Sequence, residues 1–265
     1  FISNALFPTS SSNNYIVGRT SVASTSTIEV DEVVYYQKIL TQGEINELAK
    51  IEESLIPNDS LLAHYTFDNI SGNTVLDETN NHDLTFGSLT QISGQMNNGI
   101  DQDGKDGVQI NNPFTNTRDP YSVSVWLANG SSPSNKTNVF GNYYTNGTTT
   151  GSIFNVKDGG TNIQYYQYVS GGIPSNTDFS IVVPLPANYY EGGFHHFVAQ
   201  TDGITARLYY DGVEIGSANH TVTNTNNPNT KLGMLKIYNN TSTFGGLVDE
   251  MRLYERALSP SEITK

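Results

Sequence analysis

A chain of 265 residues with a formal net charge of -13 and no cysteine has neither a basic patch for nucleic acid nor thiols for disulfides or thiolate metal sites. The acidic charge also disfavours an anionic membrane surface, and no apolar run approaches the roughly 18 residues of a membrane helix. Short alternating runs broken by Gly, Asn, Pro and Asp instead predict an all-β protein.

The first feature in chain order is a segment that occurs twice. "VDEVVYYQKILTQGEINELAK", which begins at Val30, aligns without a gap with "VDEMRLYERALSPSEITK", which begins at Val248. The duplication predicts that residues 1–50 are the C-terminal part of a preceding domain and residues 61–265 a complete copy. Residues 51–60 are polar, contain a proline and are expected to be the linker. We therefore expect the chain to belong to a tandem array.

The complete copy contains clear strand and turn signals. "LLAHYTFDN" and "YSVSVWLA" alternate as strands do, and Gly72-Asn73 lies between two short alternating runs. "FHHFVAQTDGITARLYYDGVEIGSA" predicts three strands joined by turns at Asp202-Gly203 and Asp211-Gly212. Asx-Gly pairs between alternating runs are the strongest short-range signal of a β-hairpin.

The order of these motifs resembles one family. "YTFD", "VLDE", "YSVSVWLA", "LYYDGVEIG" and "VDEMRLYERAL" follow one another as in laminin-G-like, concanavalin-A-like jelly-roll domains, across residues 61–265. Phe194 is a departure, because the family usually has Trp there. The resemblance implies an antiparallel two-sheet jelly-roll sandwich with short terminal helical turns, whose last strand pairs beside the first. Ser259, Pro260 and Glu262 have the spacing of a helix N-cap, a first-position proline and a capping glutamate.

The strand "YSVSVWLA" has two different faces, of which one is expected in the core. Alternation puts Val123, Val125 and Leu127 on one face and Ser122, Ser124 and Trp126 on the other. The sequence leaves open which face is buried. It also leaves open whether Trp126 lines a concave outer surface.

No catalytic residues are predicted. A retaining glycosidase needs two carboxylates about 5–5.5 Å apart. In "IEVDEV", Glu32 directly follows Asp31 and points the other way, and Leu247 replaces Glu29 in the complete copy. His195 and His196 are adjacent on a strand and are expected on opposite faces, one in the core and one exposed. We therefore predict that the protein is not an enzyme.

Two sets of acidic residues are candidate ligands for calcium. "IDQDGKDG" (Ile100–Gly107) lacks the spacing of a helix–loop–helix calcium loop, and the family resemblance implies a hairpin turn there. The resemblance implies instead one structural Ca²⁺ at the domain edge, with Asp68, Asp77 and Asp249 as ligands. The alternative is that Asp249 and Glu250 cap backbone N–H groups or pair with Arg252.

Ligand binding is predicted where tyrosines lie among amides. Tyr143, Tyr144, Tyr166 and Tyr168 belong to the segments "NYYTNG" and "QYYQYV". Aromatic rings stack on the apolar faces of sugars, amides bind hydroxyl groups, and Tyr is also enriched in protein interfaces. The alternative is that these rings only pack in the core.

The sequence thus favours a non-catalytic, extracellular recognition or adhesion module of a larger tandem-repeat protein, located at a cell or virion surface. Its expected partner is a glycan or a surface protein. The second hypothesis is a structural subunit of a virion fibre, surface layer or filament. In that case neighbouring copies of the module would assemble by strand exchange.

Overall fold

The chain divides into two units, Phe1–Ile51 and Glu52–Lys265. A computed structural model describes residue 39 and residues 60–102, 106–129, 138–141, 144–145, 149–157, 161–169, 177–222, 231–236 and 244–264. The predicted domain fragment 1–50 and the linker 51–60 therefore lie almost entirely outside the described residues. Both assignments stay predictions.

The described part is built almost entirely of antiparallel strands. In chain order they are β1 (Leu61–Tyr65), β2 (Ile70–Ser71), β3 (Thr74–Val75), β4 (Leu84–Thr85), β5 (Gln91–Ser93), β6 (Asn98–Asp101), β7 (Val108–Asn111), β8 (Tyr121–Asn129), β9 (Asn138–Gly141), β10 (Tyr144–Thr145), β11 (Thr149–Lys157), β12 (Asn162–Tyr168), β13 (Thr177–Pro184), β14 (His195–Thr201), β15 (Thr205–Tyr210), β16 (Val213–Asn219), β17 (Lys231–Met234) and β18 (Gly246–Tyr254). A 3₁₀ helix covers Ala187–Tyr190, and the short helix α1 covers Pro260–Ile263.

Two sheets form the sandwich within the described residues. Sheet A has the strand order β16-β15-β14-β8-β18-β6-β5, and β1 also pairs with β18. Sheet B has the order β13-β12-β11-β9-β17-β7, and β10 also pairs with β11. A small meander, β2-β3-β4, lies outside both sheets. Non-consecutive strands are neighbours in both sheets, as in a jelly roll, which confirms the predicted fold class.

One face of each sheet supplies the core. On β8, Val123, Val125 and Leu127 are buried in the main cluster, whereas Trp126 on the opposite face is only half-buried. Sheet B contributes Phe154, Ile163 and Tyr165 to the same cluster. The face that the sequence left open is thus decided: the Val/Leu set is inward, and Trp126 lies on the outward face of sheet A.

The last strand pairs beside the first, as predicted. β18 pairs with β8 on one side, and with β6 and then β1 on the other. Its partner changes at a bulge around Glu250, where the backbone takes a positive φ of 48°. Asp249 therefore lies where three strands come together.

The predicted hairpins are present at three positions. Gly72-Asn73 joins β2 to β3, Asp202-Gly203 lies in the turn from β14 to β15, and Asp211-Gly212 joins β15 to β16. Asp211 and Gly212 both have positive φ, 45° and 79°, which is the backbone of a type I′ turn.

The hairpin expected at Ile100–Gly107 is wrong. β6 belongs to sheet A, where it pairs with β5 and β18, whereas β7 belongs to sheet B, where it pairs with β17. The chain therefore crosses between the sheets here. The resemblance implied that these two consecutive strands pair with each other, but β6 and β7 belong to different sheets.

The helix α1 has the predicted cap. The Ser259 N–H donates to Glu262 Oε2 at 2.7 Å, and Pro260 is the first helical residue. Arg256 donates to both oxygens of Glu262, at 2.8 and 3.0 Å, and this pairing lowers the Glu262 pKa to about 2. The helix then packs Leu258 and Ile263 over the outward face of sheet A, against Val198, Tyr209 and Tyr254.

Candidate functional site

The outward face of sheet B carries the predicted tyrosines that the structure describes. On β12, Ile163 and Tyr165 point into the core, so Gln164, Tyr166 and Tyr168 take the outward face. The neighbouring outward residues follow from the strand register. Asn155 lies opposite both Gln164 and Asn138, and Ile153 lies opposite Tyr166. We call Asn138, Ile153, Asn155, Gln164, Tyr166 and Tyr168 the sheet B face.

Tyr166 and Tyr168 are adjacent on this face. Their ring centroids are 5.1 Å apart at an interplanar angle of 65°, an edge-to-face contact. Both rings are half-buried and pack against the buried Ile153, separate from the main core. Burial raises the pKa of the Tyr168 hydroxyl, which therefore stays neutral at physiological pH. The pair forms an apolar platform with polar edges.

Amide side chains adjoin the platform. Asn138 and Asn155 are buried, and Gln164 is nearly so. Asn155 Nδ2 donates to Asn138 Oδ1 at 3.4 Å, a long hydrogen bond. Sequence reasoning named the two tyrosines but missed these amides. The alternation of "FNVK" beside "IQYYQY" was the available signal, but it does not say which strands pair.

The described residues do not show whether the other two predicted ligand-binding tyrosines lie at this site. Tyr143 lies outside the described residues. Tyr144 belongs to β10, where its backbone pairs opposite Thr150, and its side chain lies outside the description. Their role in binding stays a prediction.

Asp77 organises a loop through its carboxylate. Its Oδ1 accepts the N–H groups of His64 and Thr79, and its Oδ2 accepts those of Asn81 and His82 and the Thr79 hydroxyl, at 2.6–3.2 Å. Burial raises the pKa of this carboxyl, but the hydrogen bonds from Thr79, His64 and Asn81 outweigh it, so the net pKa is lowered. Both oxygens are thus occupied by protein donors.

Asp68 and Asp249 hold one turn, that between β5 and β6. Asp68 accepts the Asn98 N–H at 2.8 Å, and Asp249 accepts the Met96 N–H at 2.9 Å. A Cβ atom on Gly94 would lie 2.5 Å from Asp249 Oδ2, so only glycine fits beside this carboxylate. Burial raises the Asp249 pKa to about 7.

These contacts do not assemble the predicted metal ligands. Among the described residues, no three Asp, Glu, His or Cys side chains form a group that could hold a metal ion. Asp68 and Asp249 lie at the same turn, whereas Asp77 belongs to another loop. Backbone donors occupy Asp77 and Asp249, and the described contacts do not bring the three carboxylates together as one ligand set, so that assignment stays a prediction. Calcium binding by the protein stays a prediction.

The outward face of sheet A holds a buried ion network instead. Glu250 Oε2 lies 2.9 Å from His64 Nε2 and 2.5 Å from Arg252, and all three residues are buried. Burial raises the Glu250 pKa, but His64 and Arg252 outweigh it, so the net pKa is lowered. The pairing of Glu250 with Arg252 was one of the alternatives that the sequence left open.

The two adjacent histidines lie on opposite faces, as predicted. His195 stacks on Tyr210 with centroids 5.0 Å apart, and its Nδ1 lies 2.7 Å from Asp211. His196 stacks on Trp126 at 5.1 Å, and its Nε2 lies 2.8 Å from the Ser124 hydroxyl. One of the two was expected in the core and the other exposed, but both are half-buried. Burial, with Arg252 nearby, lowers its pKa to about 4, so it is neutral at pH 7.

Asp178, His220 and Thr201 are hydrogen-bonded in the acid–histidine–hydroxyl order of a catalytic triad. His220 Nδ1 lies 2.5 Å from Asp178 Oδ2, and His220 Nε2 lies 2.7 Å from the Thr201 hydroxyl. A nucleophile must reach its substrate, but Thr201 has no exposed surface and Asp178 is also buried. Asp178 further accepts the N–H groups of Thr221 and Val222. The arrangement therefore joins β13, β14 and the end of β16, and we assign it a structural role.

Comparison with known families agrees with this architecture. The family model of the concanavalin A-like lectin/glucanases superfamily, of the laminin-G type, matches residues 102–264. The chain belongs to this superfamily. The resemblance seen in the sequence motifs is thereby confirmed for the greater part of the complete copy. No curated protein matches the chain.

Solved structures share the superfamily fold at low identity. Domain 4 of AbnA, an extracellular arabinanase from Geobacillus stearothermophilus solved with arabinotriose, is 22% identical, with a TM-score of 0.56, over 77% of this chain and 97% of that one. The binding domain of Paraclostridial Mosquitocidal Protein 1 is 15% identical, with a TM-score of 0.58, over 78% of this chain and 51% of that one. The receptor binding domain of a botulinum neurotoxin C/D mosaic serotype is 14% identical, with a TM-score of 0.57, over 78% and 51%.

These likenesses concern the fold alone, and the chain spans about half of the two toxin domains. Within the residues that the structure describes, no helix has the length and apolar character needed to span a membrane.

Proposed function

We propose that the protein is a non-catalytic recognition module that binds a glycan on the sheet B face. The observation that carries this proposal is the Tyr166–Tyr168 pair, half-buried on an outward sheet face with amides at its edge. Tyrosine rings offer rigid apolar area to a sugar ring, and amides pair with its hydroxyl groups. The arabinotriose complex of the arabinanase domain supports a carbohydrate ligand by analogy of fold.

The absence of catalysis is part of the proposal. The described acidic groups at the domain edge, Asp68, Asp77 and Asp249, are bound to backbone donors. The one His–Asp–hydroxyl constellation described above is sealed from solvent at Thr201. Hydrolysis needs a carboxylate pair or an activated nucleophile in contact with substrate.

A glycan array with the full chain tests this function. The array is run in calcium and again in EDTA. Binding to one class of glycan in either buffer supports the module, and binding lost in EDTA additionally supports the structural Ca²⁺. If no glycan binds in either buffer, the glycan proposal fails, and surface proteins become the partner to test.

The tandem arrangement and the location of the protein also belong to this proposal. The repeated ending at Val30 and Val248 supports a tandem arrangement, for which we propose an extracellular adhesion role at a cell or virion surface. The same repeat supports the second candidate, a fibre, surface-layer or filament subunit assembled from neighbouring copies. Filaments under the electron microscope would favour the subunit. A monomer in light scattering at high concentration would favour the recognition module.

A further inference from the structure

The sheet B face contains a hydrogen-bond acceptor that lacks a donor. Asn155 is 6% exposed, and its Oδ1 has no hydrogen-bond partner among the described residues. Most buried side-chain oxygens in folded proteins are paired, because an unpaired one has lost its water without compensation. An unpaired oxygen inside a candidate binding face therefore suggests that a ligand, and not another part of the protein, supplies its hydrogen-bond donor.

The amide orientation of Asn155 is set by its neighbour. Its Nδ2 donates to Asn138 Oδ1 at 3.4 Å, so its Oδ1 is directed away from that contact. Turning the amide round would set two carbonyl oxygens against each other, unless Asn138 turned as well. The unpaired atom of Asn155 is thus an oxygen that can only accept a hydrogen bond.

Asn155 lies within reach of the tyrosine platform. It is directly opposite Gln164 on β12, and Ile153, two residues along the same strand, is opposite Tyr166. Diagonal neighbours on one sheet face are about 7–8 Å apart, roughly the span of one sugar ring with its hydroxyl groups. A ring packed on Tyr166 can therefore place a hydroxyl near the Asn155 side chain, whose oxygen is buried, so that neighbouring side chains must move for the two to meet.

We infer that Asn155 is a specificity-determining residue of the glycan site proposed above, where its Oδ1 accepts a hydrogen bond from a hydroxyl of an uncharged sugar. This inference rests on the proposed function. A hydroxyl brings the donor that this oxygen lacks, whereas a carboxylate or sulfate group brings only acceptors and would repel it. The ligand class is therefore a neutral oligosaccharide.

The charges on the face agree with a neutral ligand. The side chains of the sheet B face are amides, phenols and one Ile, and none carries a charge. In β11 the nearest lysine by register is Lys157, two residues beyond Asn155 and opposite Asn162. Acidic glycans form the second arm of the test.

The test is an Asn155→Leu variant of the full chain, measured by calorimetry against arabinotriose, xylotriose, cellotriose and trigalacturonic acid. Leu has a similar shape and removes the unpaired carbonyl, but it also removes the Nδ2–H that donates to Asn138, so a moderate fall in Tm is expected. We expect the wild type to bind a neutral sugar and the variant to bind it about tenfold more weakly or worse, while it still unfolds in one cooperative thermal transition.

The matched control is Asn219→Leu. Asn219 ends β16 in sheet A and is exposed, so this change should leave sugar binding unaltered. The inference is overturned if the wild type binds a neutral sugar and Asn155→Leu binds it equally well. It is also overturned if the variant no longer unfolds cooperatively, which would assign Asn155 to the fold, or if the wild type prefers trigalacturonic acid. A wild type that binds none of the probes removes the proposed function itself.

Discussion

The outward faces of the two sheets both bury polar side chains, but they satisfy them differently. On sheet A, Glu250 forms ion pairs with His64 and Arg252, although Arg252 Nη2 makes no hydrogen bond among the described residues, and the segment around α1 covers the neighbouring apolar residues. On the sheet B face the polar groups are neutral amides and phenols, and the Asn155 oxygen has no partner among the described residues. Paired buried charges hold a fold in one arrangement, whereas an unpaired acceptor beside half-buried aromatic rings suits a ligand.

Under the proposed function, this difference assigns stability to one face and recognition to the other. Variants on sheet A should lower the free energy of unfolding and leave the binding site intact. Variants on the sheet B face should change binding and leave the free energy of unfolding nearly unchanged. Four predictions test this division, from the largest expected effect to the smallest.

The largest effect is expected for Glu250→Ala. This change leaves the buried Arg252 guanidinium and His64 without their carboxylate. Breaking a buried ion pair from one side costs about 3–5 kcal/mol of unfolding free energy, measured here by urea denaturation. The control is Glu255→Ala, at an exposed carboxylate just beyond β18, where a change within about 0.5 kcal/mol is expected. Equal stability of the two variants would contradict a stabilising role for the network.

The second largest effect on the free energy of unfolding is expected for Asp77→Asn. The amide replaces one of two oxygens that together accept five hydrogen bonds, so we expect a loss of about 2–3 kcal/mol. The loss should be the same in calcium and in EDTA, because the donors are protein groups. Asp68→Asn, a half-exposed position in the same region, is the control and should cost less. A loss seen only in calcium would restore Asp77 as a metal ligand.

The double variant Tyr166→Ala/Tyr168→Ala should act on binding. Removing the ring platform should cost about 1–2 kcal/mol of sugar affinity, roughly tenfold in Kd, with little change in stability because both rings lie outside the main core. Tyr209→Phe is the control. It removes only a hydroxyl on the opposite sheet, 3.3 Å from Glu214. Undiminished binding by the double variant would exclude the sheet B face as the site.

The smallest effect is the pH dependence of the α1 cap. The Glu262 pKa falls from 4.5 to about 2 because Arg256 pairs with its carboxylate. A lowered folded-state pKa contributes stability that is complete above the unfolded-state pKa and is lost as the pH falls from about 4.5 through about 2. We expect about 1 kcal/mol, since the pair is partly exposed.

Thermal unfolding across that pH range measures the α1 contribution. Glu262→Gln should remove its share of the acid slope. An identical slope in wild type and variant would mean that Glu262 has no linked proton. The binding of sugar on sheet B should be unaffected by this variant at pH 7.

Much of the fold followed from local patterns in the sequence. Strict alternation in "YSVSVWLA" and the Asx-Gly turns at Gly203 and Gly212 predicted strands and hairpins, because both signals act between residues near in sequence. The cap at Ser259 was predictable for the same reason. The candidate site was only half predictable: Tyr166 and Tyr168 were visible as aromatics, but the amides beside them were not.

What the sequence determined by itself was therefore the class of fold, the turns and the division of each strand's residues between two faces, but not which face is buried. What only the tertiary structure decided was which strands are neighbours. Asn155 meets Asn138 because β11 pairs with β9, and Thr201 meets His220 and Asp178 because three separate strands converge. Alternation has a period of two residues and does not indicate which distant strand is the pairing partner. Strand order is set by the burial of the whole core, which no local pattern contains.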